Sequence, residues 1–222
     1  MSNLVKEKKA IILLSGGIDS TTTLALVSSQ GFVCYALSIA YGQRNYPELA
    51  SAKQSVEKHG AVEHRIVDVN INDWGGSALT DHTLEIPKEA SNDIPMTYVP
   101  ARNTVMLSIA LSWAEAIGAH DIFYGANHVD YSNYPDCRPD YIAAFETMAN
   151  LATRDGREGK PFRIHAPLLE MNKAEIIALG TKLGVDYSTT VSCYDPDQDG
   201  LACGVCDACR FRAKGFSEAG IE

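Results

Sequence analysis

Short apolar runs alternate with longer helix-like runs along the chain, and this alternation limits the fold more than any other feature. Strands that alternate with helices of this length form βαβ units, which build a parallel sheet covered on both faces. The pattern therefore predicts a doubly wound α/β domain. The strand-like runs are 10–14, 33–39, 64–69, 121–124 and 163–167, and the helix-like runs are 20–29, 48–59, 104–117, 139–151 and 174–183.

Helix-end signals support these assignments. Glycine reaches the left-handed backbone conformation that commonly ends a helix. Asn172, followed three residues later by Glu175, is typical of a capping box and predicts the start of the last helix-like run. Glycines follow four of the helix-like runs, at Gly31, Gly60, Gly118 and Gly184.

Charge and hydropathy argue against two kinds of partner. The 222 residues include 28 acidic and 19 basic side chains, a formal charge of −9, whereas nucleic acid attracts basic surfaces. The basic residues near the N-terminus precede only a short apolar run (10–14), too short for a signal peptide and far below the about 20 residues of a membrane span. We expect a cytoplasmic protein that binds neither nucleic acid nor membrane. Because cytosolic thiols stay reduced, its six cysteines are interpreted as ligands, nucleophiles or core residues before disulfides.

The segment SGGIDS (15–20) joins the first strand-like run to the first helix-like run. Successive amides of Gly16 and Gly17 can point into one concavity that binds phosphate oxygens, and the following helix adds its positive end. The segment has no lysine, unlike the common G-x-x-x-x-G-K-[ST] phosphate loop, so the anion it holds must also leave. Asp19 would be repelled by a bare phosphate, which predicts a bridging Mg²⁺. The alternative is a tight turn in which Ser20 is the N-cap of the helix.

The wider string resembles the S-G-G-x-D-S signature of the PP-loop, or N-type, ATP pyrophosphatases. The resemblance implies an adenine-nucleotide alpha-hydrolase-like fold whose loop holds the β,γ-pyrophosphate of ATP. The bond that breaks then lies between the α and β phosphates, and the products are AMP and pyrophosphate. The residues assigned to ATP are Leu14, Ser15, Gly16, Gly17, Ile18, Asp19, Ser20 and Thr21.

Four cysteines mark the other end of the chain. Cys203, Cys206 and Cys209 have C-x2-C-x2-C spacing, and Cys193 stands ten positions before Cys203. Turn-forming residues between them let four thiolates meet in a tetrahedral site, which has no open position and is therefore structural. Zinc is the expected ion, and an iron–sulfur cluster is the alternative. We predict a PP-loop domain at 1–186 and a zinc-binding tail at 187–222 that cannot fold by burial alone.

Further segments extend the resemblance over nearly the whole chain. They are LSGGIDSTTTL (14–24), YGQRNYPE (41–48), YVPARN (98–103), DYSNYPDCR (130–138), NKAEI (172–176) and the cysteine tail. Together they resemble the 7-cyano-7-deazaguanine synthase family of the queuosine precursor pathway. Thr23 departs from a frequent family pattern that has Cys at this position, so a nucleophile is not needed there.

This resemblance implies a specific reaction. The family converts 7-carboxy-7-deazaguanine to the nitrile with ATP and ammonia, by adenylating first the carboxylate and then the oxygen of the resulting amide. The resemblance also implies a bound zinc and a homodimer. No glutaminase-like segment is present, so free ammonium is the expected nitrogen donor.

Two basic residues stand at predicted helix starts, where a positive charge opposes the helix macrodipole. Arg102 precedes the run 104–117 and Lys173 precedes the run 174–183. Local rules that are broken without compensation often mark functional sites. Both residues are therefore predicted to reach ATP phosphates and, with Asp19, to be catalytic; Arg44 is a weaker candidate of the same kind. The alternative for each is a solvated cation.

The segment DYSNYPDCR predicts the pocket for the second substrate. Aromatic rings can stack on a purine-like ring, and carboxylates can accept hydrogen bonds from its nitrogens. Cys137 is a further candidate to face this pocket, and the alternative is a turn-rich surface loop. The predicted substrate residues are Asp130, Tyr131, Tyr134, Asp136 and Arg138.

Three other functions share parts of this pattern. A tRNA-thiolating PP-loop enzyme would use the adenylation loop with a basic surface and a persulfide-bearing cysteine pair, and the net charge argues against it. An amide-forming synthetase of the NAD or GMP type would share the chemistry but would not need the YPDCR segment. A non-catalytic module would bind ATP without turnover.

Overall fold

The computed structural model describes residues 7–42, 47–81, 83–87, 94–129, 134–197 and 201–221. Every predicted strand and helix is present, with ends that shift by at most two residues. The strands are β1 (Lys9–Leu13), β2 (Val33–Ala40), β3 (Glu63–Asp68), β4 (Asp121–Phe123) and β5 (Arg163–His165). The helices are α1 (Ile18–Ser29), α2 (Pro47–His59), α3 (Arg102–Ile117), α4 (Pro139–Ala152), α5 (Arg154–Arg157), α6 (Lys173–Lys182) and α7 (Asp207–Ala219).

The strands form one parallel sheet in the order β3-β2-β1-β4-β5. The central strand β1 pairs on both sides, with Ile11 opposite Tyr35 on β2 and Ile122 on β4. Strand order reverses between β1 and β4, since the chain first builds outward through β2 and β3 and then returns to the other side of β1. The predicted doubly wound parallel sheet is confirmed.

Both faces of β1 are buried, which explains its nearly continuous apolar sequence. Ile11 and Leu13 point into the core shared with α3 and α4. Ala10 and Ile12 point into the opposite core, with Leu24 of α1. Each large apolar side chain buried in this way contributes about 1.5–3 kcal/mol. No helix among the described residues combines the length and the apolar composition needed to cross a bilayer.

The predicted helix ends are confirmed. Glu175 N donates to Asn172 Oδ1 at 3.0 Å, and Asn172 N donates to Glu175 Oε2 at 2.8 Å, which completes the capping box at the start of α6. The backbone is left-handed at each of the four predicted glycines, Gly31, Gly60, Gly118 and Gly184.

Two helices, α5 and α7, were not predicted from the sequence. The longer one, α7, lies in the cysteine-rich tail and packs against α6. Phe216 of α7 sits edge-on to Tyr187, with ring centroids 5.6 Å apart. Gly215 lets the helices approach closely, since a Cβ there would lie 2.9 Å from Cβ of Lys173. The tail therefore packs on the same core as the residues that precede it, while the domain boundary between 186 and 187 stays a prediction.

Candidate active site and metal centre

A cleft of about 230 Å³ opens at the carboxyl ends of β1 and β4. This is the point where strand order reverses, and ligands of open α/β sheets bind there. Its lining includes the loop after β1, Lys173, the start of the tail, the start of α3 and Tyr134. The fold therefore brings two segments that carry the resemblance, the phosphate loop and the YPDCR segment, to one site.

Serine hydroxyls hold the loop after β1. Ser20 Oγ accepts hydrogen bonds from the amides of Ser15 at 3.2 Å and Gly16 at 3.1 Å, and Gly17 N donates to Ser15 Oγ at 3.4 Å. Gly17 is the N-cap of α1, and Ser20 lies inside the first turn. The alternative in which Ser20 is the N-cap is therefore wrong. The loop amides converge next to the positive end of α1, where an anion can be bound.

Gly16 fixes the loop against α2. Its φ of 89° is left-handed, and a Cβ at this position would lie 2.7 Å from the backbone nitrogen of Ala52. Ser51 Oγ donates to the carbonyl of Gly16 at 2.6 Å. Only glycine fits this approach without moving backbone, so α2 determines the shape of the phosphate loop.

Asp19 and Lys173 form an ion pair inside the cleft. Lys173 Nζ lies 2.7 Å and 2.9 Å from the two carboxylate oxygens of Asp19. The lysine side chain is 8% exposed. Two residues that were selected by separate sequence arguments therefore meet at the first turns of α1 and α6, and both line the cleft.

Arg102 also lines the cleft, in the first turn of α3. Its Nη1 donates to the hydroxyl of Tyr41 at 3.3 Å, and its guanidinium carbon is 5.7 Å from the centroid of the same ring. Burial lowers the pKa of Arg102, but the oxygens of Tyr41, Tyr134 and Asp136 outweigh this effect and raise the pKa above its usual value. Ala101, just before it, has a left-handed φ of 53°, a conformation that costs a non-glycine residue free energy.

Asp136 compensates for the basic residue at the start of α3. Its buried carboxylate accepts a hydrogen bond from Asn103 N at 3.0 Å, which places a negative charge at the helix N-terminus. Asn103 Nδ2 also donates to the carbonyl of Asp136 at 3.2 Å and to Cys137 Sγ at 3.4 Å. Burial and the neighbouring Asp136 raise the pKa of Cys137 to about 12, so this thiol stays protonated at neutral pH.

The predicted substrate residues have different locations. Tyr134 is buried and lines the cleft, with its hydroxyl 2.8 Å from Thr97 Oγ1. Arg138 is exposed, lies outside the cleft lining and forms an ion pair with Asp140 at 3.5 Å. The remaining two predicted substrate residues and one weaker phosphate candidate, namely Asp130, Tyr131 and Arg44, lie outside the described residues.

The cleft also contains residues that sequence reasoning missed. Tyr124, the first residue after β4, and Asn127, in the loop that follows, both line the cleft. Their position could have identified them, because they follow a strand beside β1 and ligands bind at the carboxyl ends of strands in such sheets. Arg212 of α7 lines the cleft too, and it carried no usable signal because the helix itself was not predicted.

The four cysteines of the tail form one cluster, with all four Sγ atoms within 4.8 Å of one another. Amides of Cys203 and Asp195 donate to Cys193 Sγ at 3.2 Å and 3.3 Å, and such donors stabilise thiolate ligands. One tetrahedral ion bound by four sulfurs fits this donor set. The predicted cysteine cluster is therefore present as a possible metal site.

The tail also touches the phosphate loop. Val191 N donates to the carbonyl of Gly16 at 3.2 Å, two residues before Cys193. Arg212 donates to Thr190 Oγ1 at 2.8 Å and to the carbonyl of Tyr187 at 2.7 Å, which ties α7 to the same segment. The residues that flank Cys193 therefore form part of the cleft lining.

Comparison with known proteins agrees with this geometry. A family model described as queuosine biosynthesis protein QueC matches residues 9–220. The 7-cyano-7-deazaguanine synthase of Cupriavidus pinatubonensis is 62% identical over 215 residues, which cover 96% of this chain and 95% of the relative. That of Stutzerimonas stutzeri is 57% identical over 217 residues, which cover 98% of this chain and 97% of the relative.

Solved structures with lower identity show the same fold. The NMN synthetase of Francisella tularensis matches with a TM-score of 0.51 at 16% identity, over 99% of this chain and 80% of its own. A predicted subunit of a tRNA methyltransferase from Methanocaldococcus jannaschii also matches with a TM-score of 0.51 at 16% identity, over 78% of this chain and 74% of its own. Because the family model extends from the first residue of β1 to the end of α7, this chain belongs to the queuosine biosynthesis QueC family.

Proposed function

We propose that this chain converts 7-carboxy-7-deazaguanine and ammonium to 7-cyano-7-deazaguanine, with ATP as the activating substrate. One observation carries the proposal: a single cleft is lined both by the phosphate loop after β1 and by Tyr134 and Cys137 of the YPDCR segment. The relatives at 57–62% identity, which bear the name of this synthase, support the same assignment.

The loop binds the β,γ-pyrophosphate of ATP. The amides of Ser15 and Gly16 already point to one acceptor, Ser20 Oγ, which phosphate oxygens would replace. Lys173 and Arg102 both line the cleft and supply the positive charge that a leaving pyrophosphate needs. Asp19 and Glu48 line the same cleft, and their carboxylates are the oxygen ligands that Mg²⁺ prefers. When bound, Mg²⁺ would neutralise phosphate charge.

Adenylation explains how one site carries out two steps. A carboxylate is a poor electrophile, and the oxygen of an amide is a poor leaving group. Transfer of AMP to that oxygen overcomes both problems, so the same loop serves carboxylate activation and amide dehydration. Positioning and charge stabilisation are then sufficient, and a dedicated acid–base pair is not needed. Leu37, Ile39 and Met106 line the apolar part of the cleft and limit hydrolysis of the adenylates.

The cysteine cluster holds a structural zinc ion. Four cysteine ligands leave no open coordination position, so the ion binds no substrate. Its contribution is to fold the segment that contacts Gly16 and supplies Arg212. We also propose that the chain acts in the cytoplasm as a homodimer and binds no nucleic acid, since its formal charge is −9.

A tRNA-thiolating activity is the strongest rival. Such an enzyme would need reactive thiols, but burial keeps Cys137 protonated at neutral pH, with a pKa of about 12. The four tail cysteines lie together in a cluster suited to a metal. Both observations favour the synthase.

The proposal is tested by incubating the purified protein with ATP, ammonium and 7-carboxy-7-deazaguanine and identifying the products by mass. We expect the nitrile, AMP and pyrophosphate, with the amide accumulating when ATP is limiting. ATP binding without any turnover would instead identify a nucleotide-binding module, and sulfur transfer to tRNA would identify the thiolating enzyme.

A further inference from the structure

Arg212 of α7 is a cation of the cleft to which the proposed chemistry gives no role. The residue is partly exposed and lines the cleft, so a ligand bound there would lie beside it. Its Nη1 donates to Thr190 Oγ1 at 2.8 Å, and its Nη2 donates to the carbonyl of Tyr187 at 2.7 Å. Both acceptors are uncharged. Arg212 has no carboxylate partner within the described part of the chain.

Two further cations line the cleft, and each has an acidic neighbour. Lys173 contacts both carboxylate oxygens of Asp19. Asp136 acts on Arg102 as a nearby negative charge. For Arg212, burial lowers the pKa, as expected for a partly buried cation without a nearby carboxylate. Because arginine stays charged in proteins, Arg212 adds a positive charge to the cleft that no acid of the described residues balances.

The guanidinium of Arg212 is held in one orientation. Its carbon lies 5.2 Å from the centroid of the Phe216 ring, and its two hydrogen bonds fix the ends of the fork. A guanidinium has five N–H donors, of which Thr190 and Tyr187 use two, so three remain for another acceptor. A planar fork of donors suits the oxygens of a phosphate group. Arg212 is therefore prepared to bind an anion of this kind.

The hydrogen bonds of Arg212 tie it to the segment that contacts the phosphate loop. Val191, the residue after Thr190, donates from its N to the carbonyl of Gly16 at 3.2 Å. A Cβ at Gly17 would lie 3.4 Å from the carbonyl oxygen of Val191. Val191 also lines the cleft. Arg212 therefore borders the cleft on the side of the phosphate loop.

The packing of α7 on α6 brings Arg212 close to the ion pair at this loop. Gly215 lies three residues after Arg212, on the same face of α7, and a Cβ there would lie 2.9 Å from Cβ of Lys173. Burial raises the pKa of the Tyr187 hydroxyl to about 12. The Asp19–Lys173 ion pair and Arg212 act on this same hydroxyl, so all three charges lie near it.

We propose that Arg212 binds an oxygen of the β,γ-pyrophosphate of ATP, beside Lys173. This inference rests on the proposed function, in which the loop after β1 holds the pyrophosphate. The bound anion then supplies the negative charge that Arg212 lacks in the free protein. Arg212 lies three residues after Cys209 in α7, so the folded tail contributes a substrate contact as well as a metal site.

The test is Arg212→Gln, with Lys214→Gln as the matched control. Both variants remove one positive charge from α7, but the Lys214 side chain is 70% exposed, pairs with Glu218 at 3.7 Å and does not line the cleft. The probe is inorganic pyrophosphate with Mg²⁺, and calorimetry measures its Kd. For Arg212→Gln this Kd and the KM for ATP should rise about tenfold, as expected for the loss of a charged hydrogen bond. The Kd of AMP should stay unchanged, and Lys214→Gln should match the wild-type protein throughout.

A role in packing alone predicts a different result. If Arg212 only ties α7 to Thr190 and Tyr187, then Arg212→Gln lowers Tm while the folded variant binds pyrophosphate with the wild-type Kd. That result would overturn the inference. Equal weakening of AMP and pyrophosphate would overturn it too, because it indicates a general distortion of the cleft.

A measurement on the wild-type protein keeps the inference testable if Arg212→Gln does not fold. Phenylglyoxal modifies accessible arginines, and peptide masses identify the modified positions. Pyrophosphate with Mg²⁺ should protect Arg212 and leave Arg154, whose side chain is 82% exposed, fully reactive. Modification of Arg212 that pyrophosphate does not slow, or an Arg212 that never reacts, would overturn the inference. A wild-type protein that binds neither ATP nor pyrophosphate would instead overturn the proposed function itself.

Discussion

Lys173 Nζ contacts both carboxylate oxygens of Asp19, at 2.7 Å and 2.9 Å, although the residues are 154 positions apart. The pair joins the first turns of α1 and α6 at the phosphate loop. The lysine side chain is 8% exposed and the carboxylate 20%, so neither charge is fully solvated. In the free protein, the lysine in the cleft is therefore paired with a counter-charge.

Asp19→Asn should impair both stability and catalysis. The variant leaves Lys173 partly buried without its counter-charge, so we expect the free energy of unfolding to fall by about 1–3 kcal/mol, less than for a fully buried pair. Turnover should fall about 10- to 100-fold, because metal-bound pyrophosphate loses a ligand. Urea denaturation and steady-state assays measure the two effects.

Glu158→Gln is the control for this prediction. It removes exposed ion pairs with Arg154 at 2.7 Å and Lys160 at 3.4 Å, and none of these residues lines the cleft. We expect no measurable change in stability or turnover. Near-normal turnover of Asp19→Asn would mean that the metal ion is held by other residues.

Gly16→Ala should disrupt the phosphate loop. The added Cβ would clash with the backbone of α2, and alanine would have to adopt the left-handed φ of 89° found at this position. We therefore expect the free energy of unfolding to fall by about 2–5 kcal/mol. Binding of ATP, measured by calorimetry on the folded fraction, should weaken as well. Gly31→Ala is the control, because Gly31 has a similar φ of 82° but an added Cβ there would have no atom within 4 Å. This variant should lose only about 1–2 kcal/mol of unfolding free energy and should bind ATP normally. Equal effects of the two variants would contradict the role of α2.

Cys206→Ser should remove the metal ion. The wild-type protein should contain about one zinc ion per chain by elemental analysis, and the variant should lose it and become protease-sensitive in the tail. Cys34→Ser, in the interior of β2 and outside the cluster, should keep its metal. Iron in the wild-type protein would support a cluster instead of zinc, and full zinc content in Cys206→Ser would contradict the ligand assignment.

Local patterns were sufficient for most of the fold. The parallel sheet followed from alternating runs, and the loop, Asp19 and Lys173 each carried a local signal at a helix start. The contact between Asp19 and Lys173 was not predictable in this way, because nothing in either segment encodes a partner 154 residues away.

The missed residues have physical explanations. Tyr124 ends a short apolar strand, and an aromatic residue there is typical of a core position. The helix α7 packs on α6 and lies beside the cysteine cluster. Because these contacts stabilise it, the helix does not need a strongly apolar sequence of its own, and it was not predicted from the sequence. Arg138 was selected with its sequence neighbours, but α4 begins at Pro139 and turns that side chain to solvent.

The last prediction concerns which bond of ATP breaks. The glycine-rich loop at 15–20 has no lysine, and we propose that its amides bind pyrophosphate together with Lys173 and Arg102, which line the same cleft. Adenylation links a carboxylate oxygen of the substrate to the α-phosphorus before that oxygen leaves. Acid labelled with ¹⁸O in its carboxylate should therefore give ¹⁸O in AMP, measured by mass spectrometry, and none in pyrophosphate. Without ammonium, the label should remain in an adenylate, which separates activation from amide formation. Transfer of the γ-phosphate predicts ADP and labelled phosphate instead, and that result would contradict the assignment of the loop to pyrophosphate together with the mechanism that depends on it.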